Sequence, residues 1–244
     1  MKLKSNIYGG LRMAFSIKVF NSKKEFSGKK VAIVGAADSV FQECNGSLID
    51  KYDIVVRVNK SPHAWSKEDA KFVGSKFTFL YHSFYENELS GGGKIDWGRY
   101  NNLGIRKVVN PNCTRKGLLA HFNYYKRNKH KKRTYILDRV SYEEVATGLN
   151  NYIPTIGFSA LSSVLQAQCQ EVFITGFTFF KTPYANNYRP HLEKMEDNKT
   201  HIRKQGLHDP ELEFQLFTEV LNHSPCKKIL MDQPLTKLME AASL

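Results

Sequence analysis

The stretch Val31–Pro62, VAIVGAADSVFQECNGSLIDKYDIVVRVNKSP, decides how this chain is predicted to fold. It begins as a short buried strand, turns at Gly35 into a helical segment, and returns as a second strand that ends at Asn59. A unit of this kind places backbone N–H groups at the carboxyl edge of a parallel sheet, where anions such as nucleotide phosphates bind. The stretch therefore predicts a nucleotide-type site that includes Gly35, the hydroxyl of Ser39 and Asn59.

The turn after the first strand contains a single glycine, so it is not the GxGxxG pattern of a dinucleotide-binding fold. A plain strand-to-helix turn is the simpler alternative. Arg57, near the end of the second strand, is open to two interpretations. It could bind a phosphate, or it could form a buried ion pair with Asp50 or Asp53.

Short apolar, β-branched runs alternate with segments of helical periodicity along the whole chain. The predicted strands are Val31–Val34, Ile54–Val58, Phe77–Tyr81, Lys107–Val109, Thr134–Leu137, Val172–Thr175 and Lys228–Met231. The clearest helical patterns are Lys116–Lys126, Phe158–Gln168 and Pro210–Leu221. This alternation predicts an α/β fold, a single Rossmann-like domain with a mostly parallel central sheet of about seven strands between helices.

The chain is predicted to consist of an N-terminal arm or short edge element, residues 1–28, and one domain, residues 29–244. The polar segment 181–206 is predicted to be a lid-like loop, since long loops in compact domains are often functional. No apolar run reaches the roughly 20 residues that cross a bilayer. The four cysteines are widely spaced without a CxxC pair, which favours free thiols and a cytoplasmic protein.

The composition of the 244 residues is ordinary except for a formal net charge of +13. A solvated basic surface is the simplest explanation. The functional alternatives are an acidic substrate, an anionic membrane surface or a nucleic acid. The charged run at 126–133 could hold the protein peripherally at an anionic membrane face, or it could be a solvated loop.

A second segment with site character runs from Tyr152 to Phe177. Thr155 and the N–H groups near Gly157 begin a helix, and such a helix N-terminus can bind an anion. A simple N-cap by Thr155 is the alternative.

A third segment contains His208, followed by Asp209 and Pro210 at the start of a predicted helix. Asp209 suits the cap and Pro210 the first helical position. The positive end of that helix favours a neutral histidine that can accept a proton, with Glu213 in support. A lone histidine at a helix start can equally be a capping or surface residue.

Taken together, the three segments resemble the sialylmotifs of the eukaryotic-type sialyltransferase family. The large motif is matched by Arg57-Val58-Asn59-Lys60-Ser61-Pro62. The small motif is matched by Pro154-Thr155-Ile156-Gly157, Cys169-Gln170-Glu171-Val172 and Gly176-Phe177. The very small motif is matched by His208 and Glu213, and a further motif histidine by His191. Val73-Gly74-Ser75-Lys76 and Asn110-Pro111 also resemble family landmarks.

The resemblance implies a variant of the GT-A glycosyltransferase fold and an inverting, metal-independent transfer of sialic acid from a CMP-sugar to a hydroxyl of a glycan or glycolipid. It implies that His208 is the general base and that His191 donates to the departing phosphate. The CMP-sugar would be held by Gly35, Ser39, Asn59, Thr155, Ile156 and Gly157. No cofactor or metal and no nucleic acid is expected.

The sequence departs from the family pattern at several positions. Ala36 and Ser39 replace motif asparagines, and Leu192 and Ile153 replace aromatic residues. A transferase that uses CMP-Kdo therefore fits as well as one that uses CMP-sialic acid. Val31 stands where the family has a cysteine, so Cys169 lacks its family disulfide partner, which agrees with a reducing compartment. A basic nucleotide- or nucleic-acid-binding module without catalysis is the alternative from another class.

Overall fold

The computed structural model describes residues 2–87, 91–129, 132–185, 188 and 206–242. The described residues form one sheet with the strands β1 Ile17–Phe20, β2 Lys30–Val34, β3 Ile54–Val58, β4 Phe79–Tyr81, β5 Lys107–Asn110, β6 Thr134–Leu137, β7 Glu171–Thr175 and β8 Ile229–Met231. The order across the sheet is β1-β6-β5-β4-β3-β2-β7-β8, and every adjacent pair is parallel.

Helices connect successive strands, as parallel crossovers require, and one further helix precedes β1 and another follows β8. They are α1 Lys2–Ser16, α2 Ser22–Phe26, α3 Gly46–Ile49, α4 Ser61–Ala64, α5 Ala70–Val73, α6 Trp97–Asn102, α7 Arg115–Arg127, α8 Arg139–Ala146, α9 Ile156–Leu165, α10 Pro210–Asn222 and α11 Gln233–Ala242, with a 3₁₀ helix at Asp38–Gln42. Among the described residues, no helix combines the length and the apolar character needed to cross a membrane.

The predicted α/β architecture is confirmed, and all seven predicted strands are present, with Phe77–Tyr81 shortened to Phe79–Tyr81 and Lys228–Met231 shortened to Ile229–Met231. The eighth strand, β1, lies within residues 1–28, for which an arm or short edge element was predicted. It occupies one edge of the sheet, where Ile17 pairs with Thr134 of β6. The same residues also contain α1 and α2.

The strand order reverses between β3 and β7, because β2 has β3 on one side and β7 on the other. Successive strands β3 to β6 extend from β2 in one direction, and β7 and β8 extend in the other. In open parallel sheets, ligands bind beyond the carboxyl ends of the strands at such a reversal. The ends of β2 and β7, at Val34 and Thr175, therefore mark the expected place for a site.

Helix α9 is the central helix of the core. Every residue from Phe158 to Leu165 is buried. Small side chains allow a close approach to the sheet, and the hydroxyls among them are satisfied inside the core. Ser163 Oγ, for example, lies 2.8 Å from the hydroxyl of Tyr81 on β4. The start of α9 is consequently held rigidly at the carboxyl edge of the sheet.

Arg57 is a structural residue inside the protein and does not point toward a ligand. Its side chain is 2% exposed and lies over the ring of Phe77 at 4.0 Å. Its guanidinium donates to the carbonyls of Val73, Gly74 and Lys76. Burial lowers the pKa of Arg57 to about 9, and the negative charge of Asp50 acts in the opposite direction. The motif Val73-Gly74-Ser75-Lys76 therefore supplies the backbone carbonyl groups that bind this arginine.

Replacing Arg57 by methionine is expected to lower the free energy of unfolding by about 3 kcal/mol or more, because buried carbonyl groups lose their donors. Urea denaturation followed by circular dichroism measures the change. Arg139→Met is the matched control, since the side chain of Arg139 is 84% exposed. A loss for Arg57→Met no larger than that of the control would contradict the structural role.

Candidate functional site

A cavity of about 700 Å³ opens at the carboxyl edge of the sheet, where β2 and β7 meet. This volume is typical of sites for drug-sized or nucleotide-sized ligands. Six described parts of the chain contribute most of the lining, namely residues in 36–37, 58–59, 110–117, 153–159, 176–184 and 207–213. The cavity therefore joins all three segments that the sequence singled out.

The turns after β2 and β7 touch each other through two glycines. Gly35 N–H donates to Thr175 O at 2.8 Å, and Ala37 N–H donates to Gly176 O at 3.1 Å. A Cβ atom on Gly35 would lie 2.1 Å from Gly176 O, so only glycine permits this approach. Gly176 also has a φ of 74°, a conformation that favours glycine. Gly35 thus shapes the floor of the site, and the residue that lines the cavity beside it is Ala36.

Asp232, which the sequence reasoning missed, holds the β7 turn in place. One carboxylate oxygen accepts hydrogen bonds from Thr175 Oγ1 at 2.7 Å and from Gly176 N–H at 2.9 Å. The other oxygen caps α11 by accepting from Leu235 N–H at 2.9 Å. In the sequence, the one feature that could have indicated this role is the position of Asp232 between the end of a predicted strand and the start of a helix.

Asn59 ends β3 in a left-handed conformation, with a φ of 47°. Its N–H donates to Tyr81 O at 2.7 Å, and its side-chain oxygen accepts from Ser83 N–H at 3.2 Å. Asparagine tolerates this conformation better than most residues do. Asn59 lines the cavity, where the sequence analysis expects a ligand to bind.

Thr155 begins α9 and is connected to α10 by a buried carboxyl group. Its hydroxyl accepts from Phe158 N–H at 3.1 Å, which is the predicted N-cap. Its own N–H and hydroxyl donate to the two oxygens of Glu213, at 2.6 and 2.7 Å. Glu213 is 1% exposed, and this burial raises its pKa to about 8, against the effect of the hydrogen bonds from Thr155. The Glu213 carboxyl therefore stabilises the junction between the two helix starts.

His208 is half-buried at the cavity wall, one residue before the cap of α10. Asp209 accepts from Leu212 N–H at 3.1 Å and Pro210 occupies the first turn, as predicted. His208 Nδ1 lies 2.5 Å from Ile153 O, and a carbonyl can only accept. In the neutral ring the proton is therefore on Nδ1, and Nε2 carries the lone pair that can accept another proton.

The structure brings most of the predicted site residues together, but not all of them. The cavity is lined by Asn59, Thr155, Ile156, Gly157, His208 and Glu213. Gly35 and Ser39 do not line it. Ser39 lies in the 3₁₀ helix and is 2% exposed, and its hydroxyl has no hydrogen-bond partner among the described residues. His191 and most of the segment 181–206 lie outside the described residues.

One wall of the cavity is aromatic. It consists of Phe177, Phe179, Phe180, Tyr184 and Tyr188. The sequence analysis did not predict these residues as part of the site. The rings of Tyr184 and Tyr188 stack at 5.3 Å, and the Tyr188 hydroxyl donates to Val58 O at 3.3 Å. Phe179 and Phe180 both have positive φ values, 49° and 61°. Such conformations are rare in aromatic residues and mark a backbone shaped by its surroundings.

Within the part of the chain that the structure describes, no group of three or more His, Cys, Asp or Glu side chains could hold a metal ion. Apart from the buried carboxyl of Glu213, the polar groups of the lining residues are amide, hydroxyl and imidazole groups, and Lys116 also belongs to the lining. Groups of these kinds bind anions and hydroxyl-bearing ligands.

A model of glycosyltransferase family 29 (sialyltransferase) matches residues 9–224 of this chain. Over 200 residues the chain is 26% identical to CMP-N-acetylneuraminate-beta-galactosamide-alpha-2,3-sialyltransferase 1 of the chicken, Gallus gallus. That match covers 78% of this chain and 55% of the relative, so the chain spans about half the length of this curated protein.

Two crystal structures of a mammalian sialyltransferase have the same fold. One superimposes with a TM-score of 0.54 at 18% identity, covering 92% of this chain and 78% of the other. The second, in complex with Gal-beta-1-3GalNAc-ortho-nitrophenol, has a TM-score of 0.54 at 16% identity, covering 92% and 79%.

The buried Glu213 makes stability depend on pH in a defined direction. The folded protein keeps this carboxyl protonated up to a pKa of about 8, whereas the unfolded chain releases the proton near 4.5. Folding therefore becomes less favourable as the pH rises between these values, by roughly 2–4 kcal/mol. Glu213→Gln, which keeps an oxygen for Thr155 N–H, is expected to remove this loss.

Thermal melts of the wild type and Glu213→Gln between pH 5 and pH 8.5 check the prediction. Glu211→Gln is the control, because the side chain of Glu211 is 69% exposed on the same helix. Parallel pH profiles for the wild type and Glu213→Gln would show that Glu213 is ionised in the folded protein and would overturn the prediction.

Proposed function

The chain belongs to glycosyltransferase family 29, the sialyltransferase family, and on that premise we propose that it transfers sialic acid from CMP-sialic acid to a glycan hydroxyl. The observation that carries the proposal is the convergence of the motif residues on one cavity. Asn59, Thr155 and His208 come from three distant parts of the sequence and line the same 700 Å³ space.

The donor is proposed to bind with its phosphate at the start of α9. This helix has ten residues, and Ile156 and Gly157 at its start line the cavity beside Thr155. Phe158 N–H is already bonded to Thr155 Oγ1, so the N–H groups of Ile156 and Gly157 are the proposed phosphate donors. Gly157 has no side chain, so the phosphate can approach the backbone closely. Asn59, at the end of β3, is proposed to contact the nucleoside. The aromatic wall supplies apolar surface for the sugar and the base.

The acceptor hydroxyl is proposed to lose its proton to Nε2 of His208. The Nδ1 proton is held by Ile153 O, which orients the ring and leaves Nε2 as the basic nitrogen. A single attack by the activated hydroxyl on the donor sugar breaks the bond to CMP and inverts the anomeric centre. The sequence contains no Asp-x-Asp motif for binding a diphosphate through a metal. Because CMP carries only one phosphate, N–H, hydroxyl and imidazole donors suffice to stabilise the leaving group.

His191 remains the proposed donor to the departing phosphate, and segment 181–206 the proposed lid that excludes water during transfer. The proposed acceptor is the terminal sugar of a glycan or glycolipid. A CMP-Kdo-dependent transfer is the second candidate, and one residue difference favours keeping it. Ala36 lines the cavity where the family pattern has an asparagine, so a methyl group stands in place of a side-chain amide.

Calorimetry with CMP and UMP, each with and without EDTA, is the direct test. We expect CMP to bind more tightly than UMP and EDTA to have no effect. Transfer assays with CMP-sialic acid and CMP-Kdo then identify the donor. Absence of nucleotide binding, together with salt-sensitive RNA binding, would instead support the basic nucleic-acid-binding module.

His208→Ala is expected to lower the transfer rate by about 10²-fold or more through loss of the general base, with little change in CMP affinity. The matched control is His223→Ala. His223 is exposed at the far end of the same helix and contacts Glu219 O through Nδ1. Near-normal transfer by a folded His208→Ala protein would exclude His208 as the base.

A further inference from the structure

Helix α1 has an apolar face that no described part of the protein covers. Four residues form this outer face: Ile7, Tyr8, Leu11 and Phe15, which are 55%, 57%, 50% and 79% exposed. Ile7, Leu11 and Phe15 follow one another at a spacing of four residues, so they form one ridge along the helix. A surface helix normally presents polar residues to solvent, whereas this helix also presents a ridge of apolar residues there.

The opposite side of α1 packs on the protein and fixes the orientation of the outer face. A Cβ atom on Gly9 would lie 3.1 Å from Lys126 Cα, so glycine lets α1 lie close against α7. Arg12 Nη1 donates to Tyr125 O at 3.4 Å, and Met13 packs against the core cluster that contains Tyr125. Because α1 is packed against α7 in this way, its apolar outer face points to the outside of the protein.

The apolar surface extends beyond α1 onto its neighbours. Val19 of the edge strand β1 is 69% exposed, and Leu119 of α7 is 55% exposed. Leu119 lies two helical turns before Lys126, on the same side of α7 as the contact with Gly9. Exposed apolar side chains on an amphipathic helix and on its neighbouring elements are characteristic of an interaction site.

The same region carries only positive charge in its sequence. Residues 1–24 and 97–137 contain no aspartate or glutamate, and they include the charged run at 126–133. Exposed lysine and arginine side chains flank the apolar surface, among them Lys4, Lys18, Lys129 and Arg133. One cation of the run, Arg127, pairs with Glu86 at 2.9 Å. A partner for this surface must therefore be both apolar and anionic.

We propose that the outer face of α1 and the basic residues around it bind an anionic lipid membrane. The apolar ridge would enter the boundary between headgroups and acyl chains, as interfacial amphipathic helices do. The lysines and arginines would lie at the headgroups and be attracted to their negative charge. An anionic bilayer combines the two required properties, whereas a nucleic acid offers no apolar surface of this extent and a second copy of this face carries the same positive charge.

Sedimentation with lipid vesicles tests the proposal without any donor or acceptor, so its outcome is independent of the transferase activity. We expect binding to vesicles of equimolar phosphatidylcholine and phosphatidylglycerol, weakening with added salt, and little binding to phosphatidylcholine alone. The double variant Leu11→Glu with Phe15→Glu should lower the partition coefficient at least about tenfold. Lys129→Glu with Arg133→Glu should weaken binding to the anionic vesicles.

The control is Val140→Glu, which places the same charge on an apolar residue that is 62% exposed on α8. It should bind vesicles like the wild type, and thermal melts establish that each variant is folded. Equal binding to both kinds of vesicle, no binding, or unchanged binding by the double variant would each overturn the proposal. A concentration-dependent dimer that the double variant abolishes would assign the face to a second copy instead.

A separate observation concerns Cys169, which the family resemblance left without a partner. Strands β7 and β8 pair with Val172 opposite Ile229, and the same register three residues earlier sets Cys169 opposite Cys226. Lys227 N–H donates to Cys169 O at 3.1 Å, so the pairing extends to this point. Both sulfur atoms contact the carbonyl oxygen of Val164, at 3.5 and 3.9 Å.

The two thiols also interact directly. A hydrogen bond between them lowers the pKa of Cys226 and raises that of Cys169. Cys226 is half-buried and Cys169 is fully buried, so Cys226 is the more accessible of the two. Adjacent positions on parallel strands have Cα separations that a disulfide can bridge.

We infer that Cys169 and Cys226 form a disulfide when a small-molecule disulfide is the oxidant. The Cys226 thiolate attacks oxidised glutathione and releases one glutathione thiolate, and Cys169 then attacks the Cys226 sulfur and releases the second. The two cysteines lose two electrons and their protons, and one glutathione disulfide becomes two thiols. The bond would fasten β8 to β7 and thereby hold Asp232 against Gly176.

Mass spectrometry of peptides from protein treated with oxidised glutathione tests this inference. We expect one cross-linked pair, Cys169 with Cys226, and a thermal midpoint several degrees higher than that of the reduced protein. Cys226→Ser should lose both effects, and Cys44→Ser, at an exposed cysteine, should keep them. The inference is wrong if Cys169 and Cys226 remain separately alkylable while the exposed Cys44 is modified.

Discussion

The hydrogen bonds between Glu213 and Thr155 are the interaction on which the site depends. They belong to a set of links between residues 153–155 and 207–213, which are more than fifty positions apart in the sequence. Ile153 N–H donates to Leu207 O, and Ile153 O accepts from His208 Nδ1. Residues 153 and 155 are therefore both hydrogen-bonded to the segment 207–213. The proposed base and the proposed phosphate site are therefore linked directly by hydrogen bonds. Burial of the Glu213 carboxyl is the energetic cost of that link.

The other half of the site rests on the parallel sheet. The reversal of strand order beside β2 leaves room above Gly35 and Gly176, and Asp232 fixes the second of these turns. Since Asp232 directly follows β8, the packing of that edge strand is coupled to the shape of the cavity floor. The Cys169–Cys226 pair lies at the beginning of the same two strands. Formation of the proposed disulfide at one end of β7 and β8 would thus restrain Asp232 and Gly176 at the other end, beside the cavity.

Positively charged residues lie in two separate places on the protein. Around the cavity, Lys116 and the helix N-terminus of α9 suit an anionic donor. Around α1, positive charge accompanies an exposed apolar ridge, a combination that an anionic bilayer satisfies. Membrane binding near the acceptor pool would raise the effective concentration of a lipid-linked acceptor without altering the chemistry of the site.

The sequence by itself determined most of the strands, the clearest helices and the parallel α/β architecture. Seven of the strands, the caps at Thr155 and Asp209, and the position of Asn59 at a strand end follow from periodicity and from residues only a few positions apart. Tertiary structure alone decided that Ser39 is buried, that Arg57 serves the fold, and that Asp232 supports the site. Periodicity and caps are local, because they depend on neighbours along the chain. Burial and side-chain pairing depend on which distant segments come into contact, and no short sequence pattern specifies those contacts.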